Sequence, residues 1–382
     1  MTAESRIIAL DVHPYRIPFR QPFATAHGTI SAREGALVAI VMDNGAQGYG
    51  DMVALPEFGS PDLRLLVMAA HIVAPQIVGM TIFDLLATVN RVVEADGQPV
   101  SMSLPHPLLF ALDTAIGALH MPGDPQYSMT LNGESRAVRP IAVNATIGAI
   151  DDAPDAARAA LAAGYTCIKL KVGMLDDPAH EIARIRAVRA ALGSATHLRL
   201  DANESWSFER ALTILTACAD LDLQYVEQPL ARGNLAGMRT LRQQTHVPIA
   251  ADEALTDLAS VQAIVDADAA DVLILKPQML GGTVALRHAL RSAHARGKQV
   301  TITTCIESGV GVAATLRIAQ MMAAETSEQL LACGLATLPL LEDDLILNDL
   351  PIIAGKMQQP HPANIAIDWA AVDRYHCEVP GL

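Results

Sequence analysis

Six ionic side chains stand at the ends of short apolar segments and recur at nearly even spacing along the middle of the chain. From the second of them, the steps to the next four are 30, 26, 25 and 24 residues, each about the length of one strand plus one helix. Such spacing predicts that the groups gather around one mouth of a barrel. They are Lys169, Lys171, Asp201, Glu227, Asp252 and Lys276.

The carboxylates of this set predict a metal site. Asp201, Glu227 and Asp252 would repel one another at a common mouth, and a hard divalent cation would neutralise them while leaving positions for water and a substrate carboxylate. Oxygen ligands without a nearby thiolate favour Mg²⁺, or Mn²⁺, over zinc. The alternative is that these acids only start turns or cap helices.

The lysines predict a base. Lys169 and Lys171 alternate along one strand, so both side chains are expected on the same face. Two ammonium groups that lie close together lower each other's pKa, and a nearby metal ion lowers the pKa of both. A lysine with a lowered pKa is more often neutral and can then accept a proton. Lys276 is expected on the far side of the mouth. The alternative is that these are surface lysines whose apolar stems are buried.

Two further residues are candidates for substrate binding. His27 lies in the small-residue segment FATAHGTI, which is expected to reach over the barrel mouth, and Glu307 lies just past the seventh strand in TTCIESGVG. The alternative for His27 is an ordinary polar residue of a loop. The alternative for Glu307 is a cap of the next helix.

The elements that position these groups fall into two predicted domains. Residues 1–125 read as strands with a hairpin at Asp43-Asn44-Gly45, followed by three helices, which predicts an α+β domain. Residues 126–349 alternate apolar strands with Ala-rich helices and predict a closed (β/α)₈-type barrel, while residues 350–382 are expected to return to the first domain. The eight predicted strands are 141–147, 167–172, 197–202, 224–229, 248–253, 271–277, 299–305 and, more weakly, 329–334.

Composition and charge narrow the possible partners. The net charge of −14 argues against nucleic acid and anionic membranes as partners. Neither a leader-like start nor an apolar run of membrane-spanning length is found, so a cytoplasmic protein is expected. The five cysteines are odd in number, widely spaced and without a C-x-x-C pair, which argues against a disulfide framework or a zinc site. A small-molecule carboxylate is the expected partner, and the oligomeric state is left open.

Taken together, these motifs resemble the enolase superfamily in its muconate-lactonizing branch. The segments that carry the resemblance are KLK at 169–171, DAN at 201–203, EQPL at 227–230, ADE at 251–253, and KP at 276–277 followed by GG. The resemblance implies a modified TIM barrel, (β/α)₇β, with an α+β capping domain, and a bound Mg²⁺.

The resemblance also implies roles for individual residues. Asp201, Glu227 and Asp252 would bind the metal, with Asn203 and Glu253 behind them. Lys171 and Lys276 would flank the substrate, and Lys169 would support Lys171 or the substrate carboxylate. The chemistry shared by the superfamily is removal of the proton α to a carboxylate through an enediolate.

Within the superfamily, the sequence is similar to o-succinylbenzoate synthases of menaquinone biosynthesis. The similarity lies in residues 15–28, 48–51, 54–58 and 332–345, although Asp51 stands where those enzymes usually have Glu. It implies loss of water from a cyclohexadiene carboxylate, with Lys171 acting first as base and then as acid while the charge of Lys276 holds the intermediate.

Several other functions remain open. N-acylamino acid racemases use the same lysines and ligands, and so do dipeptide epimerases, although those usually carry a D-x-D pair at the eighth strand, where this chain reads ACGLATLP. A muconate-type cycloisomerase is a third possibility. A non-catalytic binding protein that retains the fold is the alternative from a different class.

Overall fold

The structure is a computed structural model that describes residues 5–25, 28–94, 104–119, 130–131, 134–135, 139–148, 152–325, 330–358 and 365–381. The first part forms an antiparallel sheet in the order β1-β2-β3, with three helices on one face. The predicted hairpin lies between β2 and β3, and the three predicted helices are present. The elements are β1 (Ile7–Thr25), β2 (Gly28–Met42), β3 (Gln47–Val53), α1 (Leu63–Ile77), α2 (Ile82–Glu94) and α3 (His106–Leu119).

Helix α3 packs unusually close to strand β3 because two glycines face it. A Cβ atom on Gly48 would lie 2.2 Å from the carbonyl oxygen of Ala115, and one on Gly50 would lie 1.9 Å from that of Ala111. Any other residue at either position would push the helix away from the sheet. The alternation Gly-Tyr-Gly in β3 therefore sets the distance between the two layers of the capping domain.

Parallel strands alternate with helices through the rest of the chain and form a seven-stranded sheet in the order β13-β12-β11-β10-β9-β8-β7. Most strands are buried on both faces, as expected for a sheet surrounded by helices. The strands are β7 (Ala145–Ile147), β8 (Cys167–Lys171), β9 (His197–Asp201), β10 (Leu223–Glu227), β11 (Ile249–Ala251), β12 (Val272–Leu275) and β13 (Gln299–Ile302).

The helices between these strands begin at residues that the sequence marks as caps. Asp177, Ser207 and Asp257 each accept a hydrogen bond from a backbone N–H in the first turn of the helix that follows. The helices are α4 (Ala153–Ala162), α5 (Pro178–Leu192), α6 (Phe208–Ala217), α7 (Leu235–Gln244), α8 (Leu258–Ala267), α9 (Pro277–Leu280), α10 (Thr283–His294) and α11 (Gly309–Glu325).

The eighth predicted strand closes the barrel without forming a regular strand. Cys333 makes a parallel bridge to Val143, and Gly334 makes one to Thr303, so this segment links the first and last strands of the sheet. In the described chain, only a 3₁₀ turn at Leu338–Leu340 follows it before residue 350. The barrel is therefore the (β/α)₇β form rather than the (β/α)₈ form that the spacing alone predicted.

The first predicted barrel strand is divided into two. Strand β6 (Ile141–Ala142) pairs with β15 (Lys356–Met357), which pairs with β14 (Ile352–Ile353), and only β7 joins the barrel sheet. A short hairpin, β4 (Thr130–Leu131) and β5 (Glu134–Ser135), precedes them. The predicted domain boundary at residue 125 lies outside the described residues.

The C-terminal segment contacts the capping sheet. The backbone N–H of Arg16 donates to the carbonyl of Tyr375 at 2.8 Å, and that of Cys377 donates to Pro14 at 3.2 Å. Helix α12 (Trp369–Arg374) precedes these contacts. They support our proposal that the C-terminal segment completes the capping domain, although the first part of 350–382, strands β14 and β15, pairs with β6 rather than with the capping sheet.

Direct polar contacts join the capping domain to the barrel. The side chain of Gln278 accepts from the N–H of Val53 at 3.0 Å and donates to its carbonyl at 3.2 Å. Asp113 accepts from the backbone N–H and the hydroxyl of Thr283, at 2.8 and 2.7 Å. These contacts fix the cap over the carboxyl ends of the barrel strands.

The described part of the chain contains neither a membrane-spanning helix nor a disulfide bond. None of its helices is long and apolar enough to cross a membrane. Its cysteines are all free thiols, and four of the five are buried.

Candidate active site

The predicted ionic residues lie together at the carboxyl ends of consecutive barrel strands. Lys171, Asp201 and Glu227 are neighbours in the register of β8, β9 and β10. Asp252 directly follows β11, and Lys276 directly follows β12. Because parallel strands end at the same rim of a barrel, the backbone alone brings these five positions to one mouth.

The two lysines of β8 share a carboxylate. The Nζ atoms of Lys169 and Lys171 lie 2.7 and 2.8 Å from the same Oδ2 atom of Asp201. Lys169 also lies 3.0 Å from Oε1 of Glu227, and Lys171 donates to Oδ1 of Asn203 at 2.6 Å. Both side chains therefore lie on one face of the strand, as the alternation predicts.

Lys276 occupies the opposite side of the mouth. Strands β8 and β12 are separated by three strands, so in an eight-stranded barrel Lys171 and Lys276 face each other. Nζ of Lys276 contacts Oδ1 of Asp252, and it lies 4.6 Å from the ring centre of Phe58 in the capping domain. Among the described residues, this lysine thus has one carboxylate partner, and the ring of Phe58 covers it.

Amide side chains hold the carboxylates in place. Asn203 donates to Oε1 of Glu253 at 2.9 Å and accepts from Nζ of Lys171, so it connects the end of β8 to the loop after β11. The side-chain oxygen of Gln228 accepts from the N–H groups of Asp252 and Ala254, at 3.0 and 3.3 Å. Asn203 and Gln228 both have left-handed backbone conformations, with φ of 43° and 37°. Residues other than glycine adopt this conformation at an energetic cost.

Burial and neighbouring charges move the pKa values of these groups in different directions. Burial alone would raise the pKa of Asp201, but the two ammonium groups of Lys169 and Lys171 outweigh it and hold that pKa well below its usual range. Burial alone would lower the pKa of Lys169, but Asp201 and Glu227 raise it well above its usual value. For Lys276, burial prevails and lowers the pKa to about 8.

Three carboxylates at the mouth could bind a divalent cation, as their donor atoms and their charge indicate. Among the described residues, no three His, Cys, Asp or Glu side chains form a ready group of metal ligands. Lysines contact an oxygen of each of the three proposed ligands. Yet Asp201, Glu227 and Asp252 are buried acids on adjacent strands, and the pKa of Glu227 is raised by burial and then by the charge of Asp201. A cationic partner is therefore favourable here, and carboxylate oxygens are the donors that Mg²⁺ prefers.

Glu307 follows the carboxyl end of β13, where the barrel contacts the capping domain. Its side chain is buried, Oε2 accepts from the N–H of Cys305 at 2.8 Å, and Oε1 has no hydrogen-bond partner among the described residues. Burial raises its pKa to about 7. The structure thus places Glu307 at the junction of cap and barrel, where its role in substrate binding stays a prediction, while His27 lies outside the described residues.

Other residues at this site were not predicted from the sequence. Asp51 accepts hydrogen bonds from the hydroxyl of Tyr15 and from the N–H and hydroxyl of Ser308, at 2.7–2.8 Å, and joins cap to barrel. Arg232 forms a forked ion pair with Glu204. The partners of Asp51 are distant in sequence, and Glu204 and Arg232 lie in loops outside the apolar strands on which the spacing argument depends.

The sequence was compared with models of known protein families. The model for the enolase C-terminal domain-like family matches residues 152–363. This chain belongs to that family. It is therefore an enzyme of the enolase superfamily, and the superfamily expected from the motifs is confirmed.

A comparison with curated proteins adds a relative of named activity. The chain is 36% identical over 239 residues to o-succinylbenzoate synthase from Thermobifida fusca, an alignment that covers 60% of this chain and 72% of the relative.

Solved structures share the fold. The N-succinyl Arg/Lys racemase from Bacillus cereus has a TM-score of 0.83 at 21% identity and covers 98% of each chain. The dipeptide epimerase from Enterococcus faecalis, solved with Mg and a dipeptide, has a TM-score of 0.78 at 21% identity and covers 95% of this chain and 98% of its own. These likenesses confirm the predicted barrel with its capping domain.

Proposed function

We propose that this enzyme removes the proton α to a carboxylate and eliminates water, as an o-succinylbenzoate synthase. The observation that carries the proposal is a pair of lysines facing each other across a buried acidic mouth, Lys171 on β8 and Lys276 after β12. The identity of 36% to a synthase favours dehydration among the reactions such a pair can catalyse.

In this proposal Lys171 moves the proton. Its neutral amine takes the α-proton as the C–H bond breaks, and the resulting ammonium returns that proton to the departing hydroxyl, so that water leaves and nothing is oxidised. Asp201 and Asn203 orient Nζ of Lys171 through contacts of 2.8 and 2.6 Å. The ammonium of Lys276 stabilises the negative charge that develops on the substrate.

Asp201, Glu227 and Asp252 would hold Mg²⁺, with Asn203 and Glu253 behind them. When bound, the ion would supply positive charge next to the substrate carboxylate and lower the cost of removing the α-proton. Lys169, which contacts both Asp201 and Glu227, would keep these acids ionised and in position.

Racemisation of N-acylamino acids is the second candidate. Two lysines on opposite sides of the mouth can serve a 1,1-proton transfer, in which one removes the α-proton and the other returns a proton to the opposite face. Dipeptide epimerisation is less favoured, because the segment at the eighth strand, 332–339, contains no acid to hold a substrate amine.

The test is to assay the purified, magnesium-loaded enzyme for o-succinylbenzoate formation beside a panel of N-acylamino acids, with α-proton exchange in deuterium oxide as a common measurement. Synthase turnover exceeding racemisation supports dehydration, and the reverse supports the racemase. Absence of exchange with every carboxylate tested would contradict both.

A further inference from the structure

The turn that covers Lys276 belongs to the capping domain and is bound to the barrel at more than one point. It consists of the 3₁₀ turn Pro56–Phe58, and it places the ring of Phe58 at 4.6 Å from Nζ of Lys276. At its start, Val53 exchanges two hydrogen bonds with the buried amide of Gln278. At its end, the hydroxyl of Ser60 accepts from the N–H of Leu55 at 2.6 Å.

The middle of the turn is held by an arginine of the barrel. Arg232, in the loop after β10, donates from Nη2 to the carbonyl oxygen of Glu57 at 3.1 Å. Glu57 directly precedes Phe58, so this bond sets where the ring lies. It connects residues 175 positions apart in the sequence.

Glu204 fixes the direction in which Arg232 points. Its carboxylate receives the backbone N–H of Arg232 at 2.6 Å, Nε at 3.1 Å and Nη2 at 2.6 Å. The side chain of Glu204 is only 8% exposed, whereas that of Arg232 is 31% exposed, so the carboxylate is the shielded partner of the pair. Forked, charge-assisted bonds of this kind fix geometry as well as add energy.

The conformation of Glu204 indicates that this pairing has an energetic cost. Glu204 has φ of 64°, and its backbone N–H donates to the carbonyl of Gln228 at 2.8 Å. A glutamate in the left-handed region persists only when its surroundings hold it there, and such residues cluster at functional sites. Here the surroundings are the rim of the proposed active site.

We propose that Arg232, paired with Glu204, is a positioning residue that holds the Pro56–Phe58 turn over the barrel mouth. Phe58 then forms one wall of the substrate site beside Lys276 and favours a carboxylate that carries a flat apolar group at that wall. The part that concerns the substrate rests on the proposed function, whereas the part that concerns the turn does not.

Hydrogen–deuterium exchange of segment 53–62 tests the positioning role. Arg232→Gln should increase deuterium uptake at the amides of Phe58, Gly59 and Ser60 by about tenfold, since it removes a charge-assisted hydrogen bond that supports the turn. Arg232→Lys keeps the charge beside Glu204 but lacks the fork, so its effect should be intermediate.

Arg242→Gln is the matched control. Arg242 also contacts two acids, Asp268 and Asp271, but it lies on α7 outside the barrel mouth. Uptake in segment 53–62 should stay at the wild-type level in this variant. Unchanged uptake in Arg232→Gln, or an equal increase in both variants, would overturn the positioning role, and Arg232→Lys decides the question if Arg232→Gln fails to fold.

Kinetics test the wall. With N-succinylphenylalanine and N-succinylalanine as probes, Arg232→Gln should raise KM for the aromatic substrate by about tenfold and leave kcat within about threefold, with a smaller change for the alanine substrate. Phe58→Ala should reproduce this difference between the substrates. Equal changes for both substrates would contradict the wall. Turnover of neither would count against the racemase candidate but not against dehydration; the KM of Phe58→Ala for the synthase substrate then tests the wall, and an unchanged KM would overturn it. The exchange result decides the role of Arg232 in either case.

Discussion

The lysines on the two sides of the barrel mouth have different surroundings. On the β8 side, Lys169 and Lys171 share Asp201, and each side chain is 18% exposed. On the β12 side, Lys276 is 8% exposed, contacts Asp252 and lies under Phe58. Carboxylates raise the pKa of Lys169, whereas burial lowers that of Lys276 to about 8. Both sides contain ion pairs, but carboxylates outweigh burial in the pKa of Lys169, whereas burial prevails in that of Lys276.

The largest effect should come from the β8 side. Lys171→Ala removes the proposed base but no proposed metal ligand, so turnover should fall about 1000-fold or more while Mg²⁺ affinity stays close to wild type. Steady-state kinetics and calorimetry measure the two quantities. Lys356→Ala, at an exposed lysine of β15, is the control. Near wild-type turnover in Lys171→Ala would refute the mechanism.

Lys276→Ala should separate the two sides from each other. If Lys171 alone removes the α-proton in one direction, this variant should still exchange the α-proton of one enantiomer of an N-acylamino acid, while exchange of the other enantiomer falls by about 100-fold or more. Proton NMR in deuterium oxide follows both enantiomers. Equal loss for both would show that the two lysines do not act on separate faces.

Glu227→Gln tests whether the acids of the mouth bind metal. The change removes one negative charge while keeping the size of the side chain, so Mg²⁺ affinity should fall by at least about tenfold. Isothermal calorimetry measures it, with Glu209→Gln at an exposed position of α6 as the control. An unchanged affinity would rule out Glu227 as a ligand.

The smallest effect concerns Glu307, the buried acid where the cap contacts the barrel. Burial raises the pKa of Glu307 from 4.5 to about 7, so its contribution to stability is present below pH 4.5 and is lost as the pH rises through 7. Between about pH 5 and pH 8 the free energy of unfolding of the wild type should fall as Glu307 ionises. In Glu307→Gln this fall should be smaller by on the order of 1–3 kcal/mol. Denaturant unfolding at both pH values measures this change, and an identical fall in both proteins would contradict the buried ionisation.

Much of the fold and the main ionic group could be predicted from the sequence because both depend on local patterns. Apolar runs with a charged residue at the end indicate buried parallel strands, and their even spacing assembles Lys171, Asp201 and Glu227 at one rim. The eighth strand was harder to predict, since Cys333 and Gly334 pair only through isolated bridges. The division of 141–147 was also missed, because β6 pairs with a strand more than two hundred residues later.

The sequence by itself determined which chemical groups meet at the barrel mouth, since strand ends and register follow from local hydrophobic patterning. Only the tertiary structure decided how those groups differ. Phe58, Asp51 and Arg232 contact residues far away in the chain, and burial, which lowers the pKa of Lys276, is a property of the whole fold. Spacing can predict that two lysines face each other, but the surroundings that distinguish them arise only when the cap closes over the barrel.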